Sequence, residues 1–254
     1  MQTLYILDTS DTRIKIIDEK LKAKGELTAD ILNDTYGDDY KRVYILSPRF
    51  QDNNPEFTGF AVNSTVYFFS LSDKTLDLLA HKNCKVVNIT DNERFTCINS
   101  KLTAEGALYY AMQKSDVSLK ERKVLIIGFG HLGKALLTTF LPHCPHLCVA
   151  SRRELTRCET RLMGAESCSI LSLHDHLHKF DLIINTVPAE IFDRHTQINK
   201  NTIILELASK VYPFDYEELK RQNIDFEILK SLPSKTFPVS AANALLDVVI
   251  PDFV

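Results

Sequence analysis

Short apolar runs alternate with amphipathic stretches along the first half of the chain. Thr3–Leu7 is apolar, and Ile14, Ile16, Ile17 and Leu21 recur behind it near helical spacing. Val43-Tyr44-Ile45-Leu46, Val66-Tyr67-Phe68-Phe69 and Val86-Val87 follow, with residues 76–79 in a short helix between the last two. Strands separated by helices predict a parallel sheet. Pro48, Asn53, Asn54, Pro55 and Gly59 mark residues 48–64 as a loop. A helix is predicted over 103–114, opening near Thr103, with Ala107, Leu108, Ala111 and Met112 on one face. The polar stretch 115–120 reads as a link.

The second half is more regular. Val124-Leu125-Ile126-Ile127 predicts a buried strand, and Gly128-Phe129-Gly130-His131-Leu132-Gly133 turns into a helix stopped by Pro142. Leu147-Cys148-Val149-Ala150 predicts a second strand, and a helix over 154–163 ends at Gly164. Leu182-Ile183-Ile184, Ile203-Ile204-Leu205 and Phe226-Glu227-Ile228-Leu229 predict three more strands. This is the pattern of an α/β chain in two domains: a parallel α/β domain over 1–115 and a Rossmann nucleotide-binding domain over 116–254. The last helix, over 240–249, is expected to return toward the first domain.

The glycine turn carries the chemistry. A Gly-x-Gly-x-x-Gly pattern alone is weak, and a ligand-free strand-to-helix turn reads the same. Here it directly follows an apolar strand and opens a helix, the context that gives it meaning. Gly128 permits the tight turn, Gly130 lets backbone approach a pyrophosphate, and Gly133 lets helix and strand pack closely. Phe129, His131 and Leu132 complete the turn, and the pyrophosphate would rest on free N–H groups at the helix start.

The tip of the second strand selects the cofactor. A carboxylate there would accept the ribose 2′-hydroxyl and repel a 2′-phosphate. This chain places Ser151, Arg152 and Arg153 there, a hydroxyl and two guanidinium groups suited to a phosphate. NADP is therefore expected, although Glu154 lies close enough to keep NAD in view and both arginines could simply be solvated. Asn185, Thr186, Val187 and Pro188 end one later strand and are expected along the nicotinamide ribose. Leu207, Ala208 and Lys210 follow another and are expected near the reacting ring. Ordinary strand-ending turns have the same spacing.

Composition narrows the classes. The 254 residues are 44% hydrophobic and 25% charged, enough for a substantial core. A net charge of −3 gives no electrostatic case for nucleic acid or an anionic membrane. No apolar run approaches the ~20 residues a spanning helix needs, and the opening residues read as a strand rather than a leader. A soluble, cytoplasmic protein is expected. Six cysteines without a Cys-x-x-Cys pair fit reduced thiols. The run His143-Cys144-Pro145-His146-Leu147-Cys148 lacks recognised zinc spacing, so no metal is expected. His174, His176 and His178 are expected to be solvated on a helical segment.

In these motifs the chain resembles the A subunit of bacterial dipicolinate synthase, over most of its length and most strongly from about residue 94. Asn99-Ser100-Lys101-Leu102-Thr103-Ala104-Glu105-Gly106 is similar to that family's Asn-Ser-x-Pro-Thr-x-Glu-Gly, with Leu102 replacing proline. The glycine turn, Ala150-Ser151-Arg152, Asn185-Thr186-Val187-Pro188 and Leu207-Ala208-Ser209 follow in the family's order, and Asp11-Thr12-Arg13 resembles its Asp-x-Arg. The resemblance implies an N-terminal flavodoxin-like domain, a Rossmann domain and a cleft between them. It implies pyridine-nucleotide-dependent oxidation of a dihydro- or hydroxytetrahydro-dipicolinate to dipicolinate in the mother cell of sporulating bacteria. It also implies self-association into a homo-oligomer and partnership with a flavoprotein B subunit. Val239 stands where the family has a lysine, Lys210-Val211-Tyr212-Pro213 replaces Arg-Pro-Gly-Gly, and the tail is short, so a divergent and shortened member is expected.

On this reading Arg13, Asn99, Ser100 and Thr103 hold a small carboxylate substrate, partly through amides at the expected helix start near Thr103. Glu105 and Lys210 are the catalytic candidates, Glu105 as proton acceptor and Lys210 as a cation near the substrate. A capping role for Ser100 and Thr103 and a solvated Glu105 are the plain alternatives. A dehydrogenase of another small carboxylated substrate, such as shikimate or a 2-hydroxy acid, is the second reading. No histidine precedes His81, and only His195 lies near a late strand. A non-catalytic nucleotide-binding subunit is the third, prompted by Val239 and Val211.

Overall fold

The computed structural model describes residues 2–33, 36–37, 39–54, 57, 59–192, 196–208 and 213–251. The chain forms two units, one from residues 1–99 with 233–254, the other from 100–232.

The first unit opens with β1 (Thr3–Leu7), α1 (Thr12–Ala23), β2 (Leu27–Asp30), β3 (Lys41–Ile45), β4 (Thr65–Phe68), α2 (Asp73–His81) and β5 (Lys85–Asn88). Every strand pairing is parallel, in the order β2-β1-β3-β4-β5. That is the flavodoxin-like order, which forces helical crossovers. Asp11 caps α1 by accepting the Arg13 N–H, and Ser72 caps α2 through the Thr75 N–H.

α3 (Glu93–Lys114) then carries the chain into the second unit. There β6 (Val124–Ile127), α4 (His131–Phe140), β7 (Leu147–Ser151), α5 (Glu154–Leu162), β8 (Glu166–Ser169), β9 (Leu182–Asn185), β10 (Ile203–Glu206), α6 (Tyr216–Arg221) and β11 (Asp225–Ile228) form a parallel sheet ordered β11-β10-β9-β6-β7-β8. This is the doubly wound Rossmann order. Its central strand β6 is buried at every position, because helices cover both faces. α7 (Leu232–Thr236) and α8 (Pro238–Val249) follow; Leu245, Leu246 and Val249 of α8 pack with Ile14, Ile17 and Leu21 of α1 in the first unit's core. Burying side chains of this size contributes about 1.5–3 kcal/mol each.

Three sequence expectations need correction. The helix predicted from Thr103 begins at Glu93, because the Asn92 side chain accepts the Phe95 N–H at 2.9 Å and caps it ten residues earlier. The division falls inside α3, at Asn99/Ser100, and not at the polar stretch 115–120. Ala104, Ala107 and Ala111 are fully buried against Val124, Ile126 and Leu136 of the second unit, which draws that half of the helix into its core. The three histidines lie on no helix of ordinary α type: residues 170–172 and 177–179 are single 3₁₀ turns, and all three imidazoles are exposed. β2 and β8 escape the sequence pattern because they are outermost strands with mixed residues, Leu-Thr-Ala-Asp and Glu-Ser-Cys-Ser.

Candidate nucleotide-binding site

In the second sheet, strand order reverses between β6 and β9, and such a switch leaves a crevice beyond the strands' C-terminal ends. A crevice of about 850 Å³ lies there. Gly128, Phe129, Gly130, His131, Leu132 and Gly133 form one wall, Ser151, Arg152 and Arg153 a second, and Thr186, Val187 and Pro188 a third. The structure thus brings together three motifs that are far apart in sequence. Thr156, in the first turn of α5, and Ile170, just after β8, also line it and were missed by motif reading. Their signal was available in topology alone: both follow the C-terminal ends of neighbouring strands.

The three glycines do different things. Gly128 has φ +101°, and a Cβ there would stand 2.3 Å from Thr186 Oγ1 and 2.8 Å from Val187 Cγ2. At Gly133 a Cβ would stand 2.3 Å from the Gly128 carbonyl oxygen, so α4 leaves the turn too closely for any side chain. Gly130 is unlike both, because a Cβ there meets nothing within 4 Å. Gly130 is also the N-cap of α4 and supplies no side-chain cap. The first amides of α4 therefore lack intrahelical partners at the positive end of the helix dipole. An anion bound there would satisfy both.

At the tip of β7 the Ser151 hydroxyl donates to the Arg153 carbonyl at 3.3 Å. Arg152 and Arg153 are exposed, and neither forms an ion pair among the described residues. Arg157, one turn into α5, donates from Nη1 to the Ser151 carbonyl at 3.0 Å and the Arg152 carbonyl at 2.9 Å. Arg157 also holds Glu154, which Arg161 engages at 3.1 Å. Hydrogen bonds from Arg161 and Arg157 keep the Glu154 carboxyl below its usual range. The free charge facing the crevice at this tip is positive.

Behind the third wall sits a buried polar cluster. Glu206 at the end of β10 and Asn185 at the end of β9 are both fully buried. Asn185 Nδ2 donates to the two Glu206 carboxylate oxygens at 2.9 and 3.1 Å, the Ala208 N–H donates at 2.7 Å and the Tyr216 hydroxyl at 2.7 Å. Burial pushes the Glu206 carboxyl above its usual range, against the pull of these hydrogen bonds. Asn185 and Ala208 thus brace the strand ends and do not line the crevice, and Leu207 packs against the core of the unit.

The remaining expected residues lie elsewhere. Arg13, in the first unit, is 4% exposed and grips Asp11 through Nε at 2.9 Å and Nη2 at 3.1 Å. Burial raises the Asp11 carboxyl, but the Arg13 hydrogen bonds and charge bring it below the usual range. Asn99, Ser100, Thr103 and Glu105 lie in the middle of α3, where helical bonding occupies the backbone amides, so the expected anion grip by a helix start at Thr103 does not form. Ser100 and Thr103 are buried, Asn99 and Glu105 half-buried. Lys210, with Ser209 and Val211, lies outside the described residues, as does His195. Cys144 and Cys148 are buried while His143 and His146 are exposed, so those four side chains do not converge.

No family profile matches the chain. The A subunit of dipicolinate synthase from Bacillus subtilis (strain 168) is 26% identical over 187 residues, a stretch that covers 72% of this chain and 63% of that relative. The crystal structure of the corresponding A subunit from Bacillus halodurans superposes with a TM-score of 0.81 at 19% identity, covering 99% of this chain and 98% of the other. D-lactate dehydrogenase with NAD+ from Lactobacillus jensenii shares the fold at a TM-score of 0.55 and 12% identity, over 99% and 96% of the two chains. No helix among the described residues is long and apolar enough to cross a membrane. In sequence over that stretch, and in the architecture of both sheets, the chain is similar to the dipicolinate synthase A subunit.

Proposed function

We propose that the chain is an NADP-dependent oxidoreductase that converts a dihydro- or hydroxytetrahydro-dipicolinate into dipicolinate. The observation that carries the cofactor half is the open side of Gly130 beside the uncapped start of α4, facing a β7 tip where Arg152 and Arg153 form no ion pair among the described residues. The α4 amides would hold the diphosphate, and Arg152 and Arg153 the 2′-phosphate. When bound, the nicotinamide supplies hydride acceptance. The protein's part is orientation, exclusion of water and a place for the proton. Thr186, Val187 and Pro188 would set the ribose against the wall braced by Glu206. Similarity to the dipicolinate synthase A subunit supports the substrate half, with Arg13, Asn99, Ser100 and Thr103 holding the carboxylates and Glu105 and Lys210 as the catalytic pair. The same similarity supports a flavoprotein partner, self-association and a cytoplasmic role in sporulating cells.

Fluorescence titration with NADPH and NADH tests the cofactor half: NADPH should bind tighter, and Arg152→Ala should weaken NADPH far more than NADH. Equal losses, or no binding of either, would remove the reading. Following pyridine absorbance with lysine-pathway precursor and NADP+, with and without the flavoprotein, tests the substrate half. Val239 is 54% exposed near the start of α8, an apolar residue where the family resemblance places a lysine. That supports a second reading, nucleotide binding without turnover, which tight NADPH binding with no pyridine product would favour.

A further inference from the structure

We infer that Arg157 is the positioning residue that sets the preference between nucleotides, by holding the β7 tip in a cation-only arrangement. The inference rests on the proposed binding of NADP in the crevice. Glu154 is the carboxylate nearest the tip of β7 in sequence, and a carboxylate reaching that tip would accept from the free ribose hydroxyl of an unphosphorylated nucleotide. In the structure it is turned along α5, gripped by Arg157 and Arg161, and it does not line the crevice.

Arg157 performs two tasks with one guanidinium. Nη2 holds Glu154, while Nη1 bonds the successive carbonyls of Ser151 and Arg152. The second contact fixes the backbone from which the Arg152 side chain departs. Only 16% of the Arg157 side chain is exposed, against 63% for Glu154, so the clamp is the anchored partner and the carboxylate the movable one. Thr156, its chain neighbour, lines the crevice, which places this turn of α5 at the ligand wall. Loss of Arg157 would both loosen the Arg152 backbone and leave Glu154 held by Arg161 alone, with one cation fewer to offset its charge near the expected 2′-phosphate. Each change weakens a 2′-phosphorylated nucleotide, and the second favours one that offers hydroxyls. A lysine cannot replace this fork, because an ammonium is a point charge on a flexible stem.

The test titrates NADPH and NADH against the wild type, Arg152→Ala, Arg157→Met and Arg157→Met/Glu154→Gln. Arg157→Met should weaken NADPH by about tenfold or more, the scale of one like-charge contact, while leaving NADH equal or tighter. Adding Glu154→Gln should restore part of the NADPH affinity. A merely structural role would lower both nucleotides together, and that result overturns the inference, as would an NADPH affinity unmoved by the double change. Should Arg157→Met fail to fold, Arg157→Lys serves instead, keeping the charge near Glu154 but losing the two-carbonyl fork. It should lower the NADPH-to-NADH preference, and an unchanged preference overturns the inference. If the wild type shows no preference for NADPH, the cofactor reading itself fails. If the wild type prefers NADPH and Arg152→Ala abolishes this while Arg157 variants do not, only the role of Arg157 falls.

Discussion

The Tyr216 hydroxyl donates to a carboxylate oxygen of Glu206 across 2.7 Å, inside a site where Glu206 itself is fully buried. No cation pairs with this carboxylate among the described residues, so its charge rests on Asn185, the Ala208 amide and Tyr216. Burying a carboxylate on hydrogen bonds alone raises its proton affinity, and the direction found for Glu206 is upward.

A pH dependence follows from that direction. The folded protein holds the Glu206 proton to higher pH than the unfolded chain does, so protonation linkage stabilises the fold at low pH. This contribution is fully present below the ordinary glutamate range and is lost as pH rises through the elevated folded value. Glu206→Gln removes the titration, so stability measured by denaturant unfolding should fall less steeply over that window than in the wild type. Parallel curves would show that Glu206 titrates as an ordinary glutamate. Tyr216→Phe removes one donor and should cost about 1–3 kcal/mol, more at neutral than at acid pH, because the lost bond is to the charged form.

Arg13 and Asp11 form the opposite kind of site, a carboxylate with its cation. Both are buried, at 4% and 1% exposure, and Arg13 Cζ also lies 5.6 Å over the Phe69 ring. Removing one partner leaves a buried charge uncompensated, so Arg13→Ala should destabilise by about 3–5 kcal/mol at neutral pH. Asp11 sits below its usual range in the fold, so the pairing contributes above the ordinary aspartate value and is lost as pH falls through the folded one. The cost of Arg13→Ala should therefore shrink in acid, and Asp11→Asn/Arg13→Ala should be less damaged than Arg13→Ala alone. Additive costs would mean that the two side chains do not depend on each other. Any substrate role for Arg13 has to use donors other than Nε and the bonded N–H of Nη2, which Asp11 occupies.

The inner strands of both sheets and the glycine turn were readable from residue pattern because those strands are apolar and the turn demands glycine, whereas the mixed edge strands β2 and β8 were not. Val124-Leu125-Ile126-Ile127 is a short apolar run bounded by a glycine turn, as a strand covered on both faces requires, and Gly128 and Gly133 occupy positions that reject a Cβ. What stayed hidden depends on partners distant in sequence. Arg157 reads as one more helical arginine until its bonds to two carbonyls are seen. Glu206 reads as a strand-ending acid until Asn185 and Tyr216 are found on it. The start of α3 was misplaced because Gly106 and the Ser100–Thr103 pair resemble a helix opening, while the actual cap, Asn92, precedes residues with little amphipathic pattern. A capping side chain is a local signal, but its competitor was ten residues away and equally plausible on propensity.

Cys144 offers a check on the second unit's core. Burial pushes its thiol up to about 11, and it is fully buried between Phe140 and Leu147 in sequence. Since the thiolate is the reactive form, iodoacetamide under mildly alkaline conditions should leave Cys144 unmodified in the native protein and label it after unfolding. Cys97 is exposed and should be labelled in the native state. Peptide mass spectrometry reads both sites, and rapid native labelling of Cys144 would contradict the packing around α4 and β7.

Gly130 and Gly133 separate what the turn needs for folding from what it offers to a ligand. At Gly133 an added methyl meets backbone at 2.3 Å, and backbone cannot swing aside. Gly133→Ala should therefore cost at least about 1–3 kcal/mol, the overpacking range, and lower the melting temperature. At Gly130 the same methyl meets nothing, and φ −78° with ψ −163° is open to alanine. Gly130→Ala should melt with the wild type, yet its methyl would occupy the space in front of the α4 amides where a diphosphate must approach. NADPH affinity should then drop by about tenfold or more, the loss of one well-made charge-assisted hydrogen bond. Wild-type NADPH affinity in Gly130→Ala would mean that the nucleotide, if it binds, does not rest on this turn.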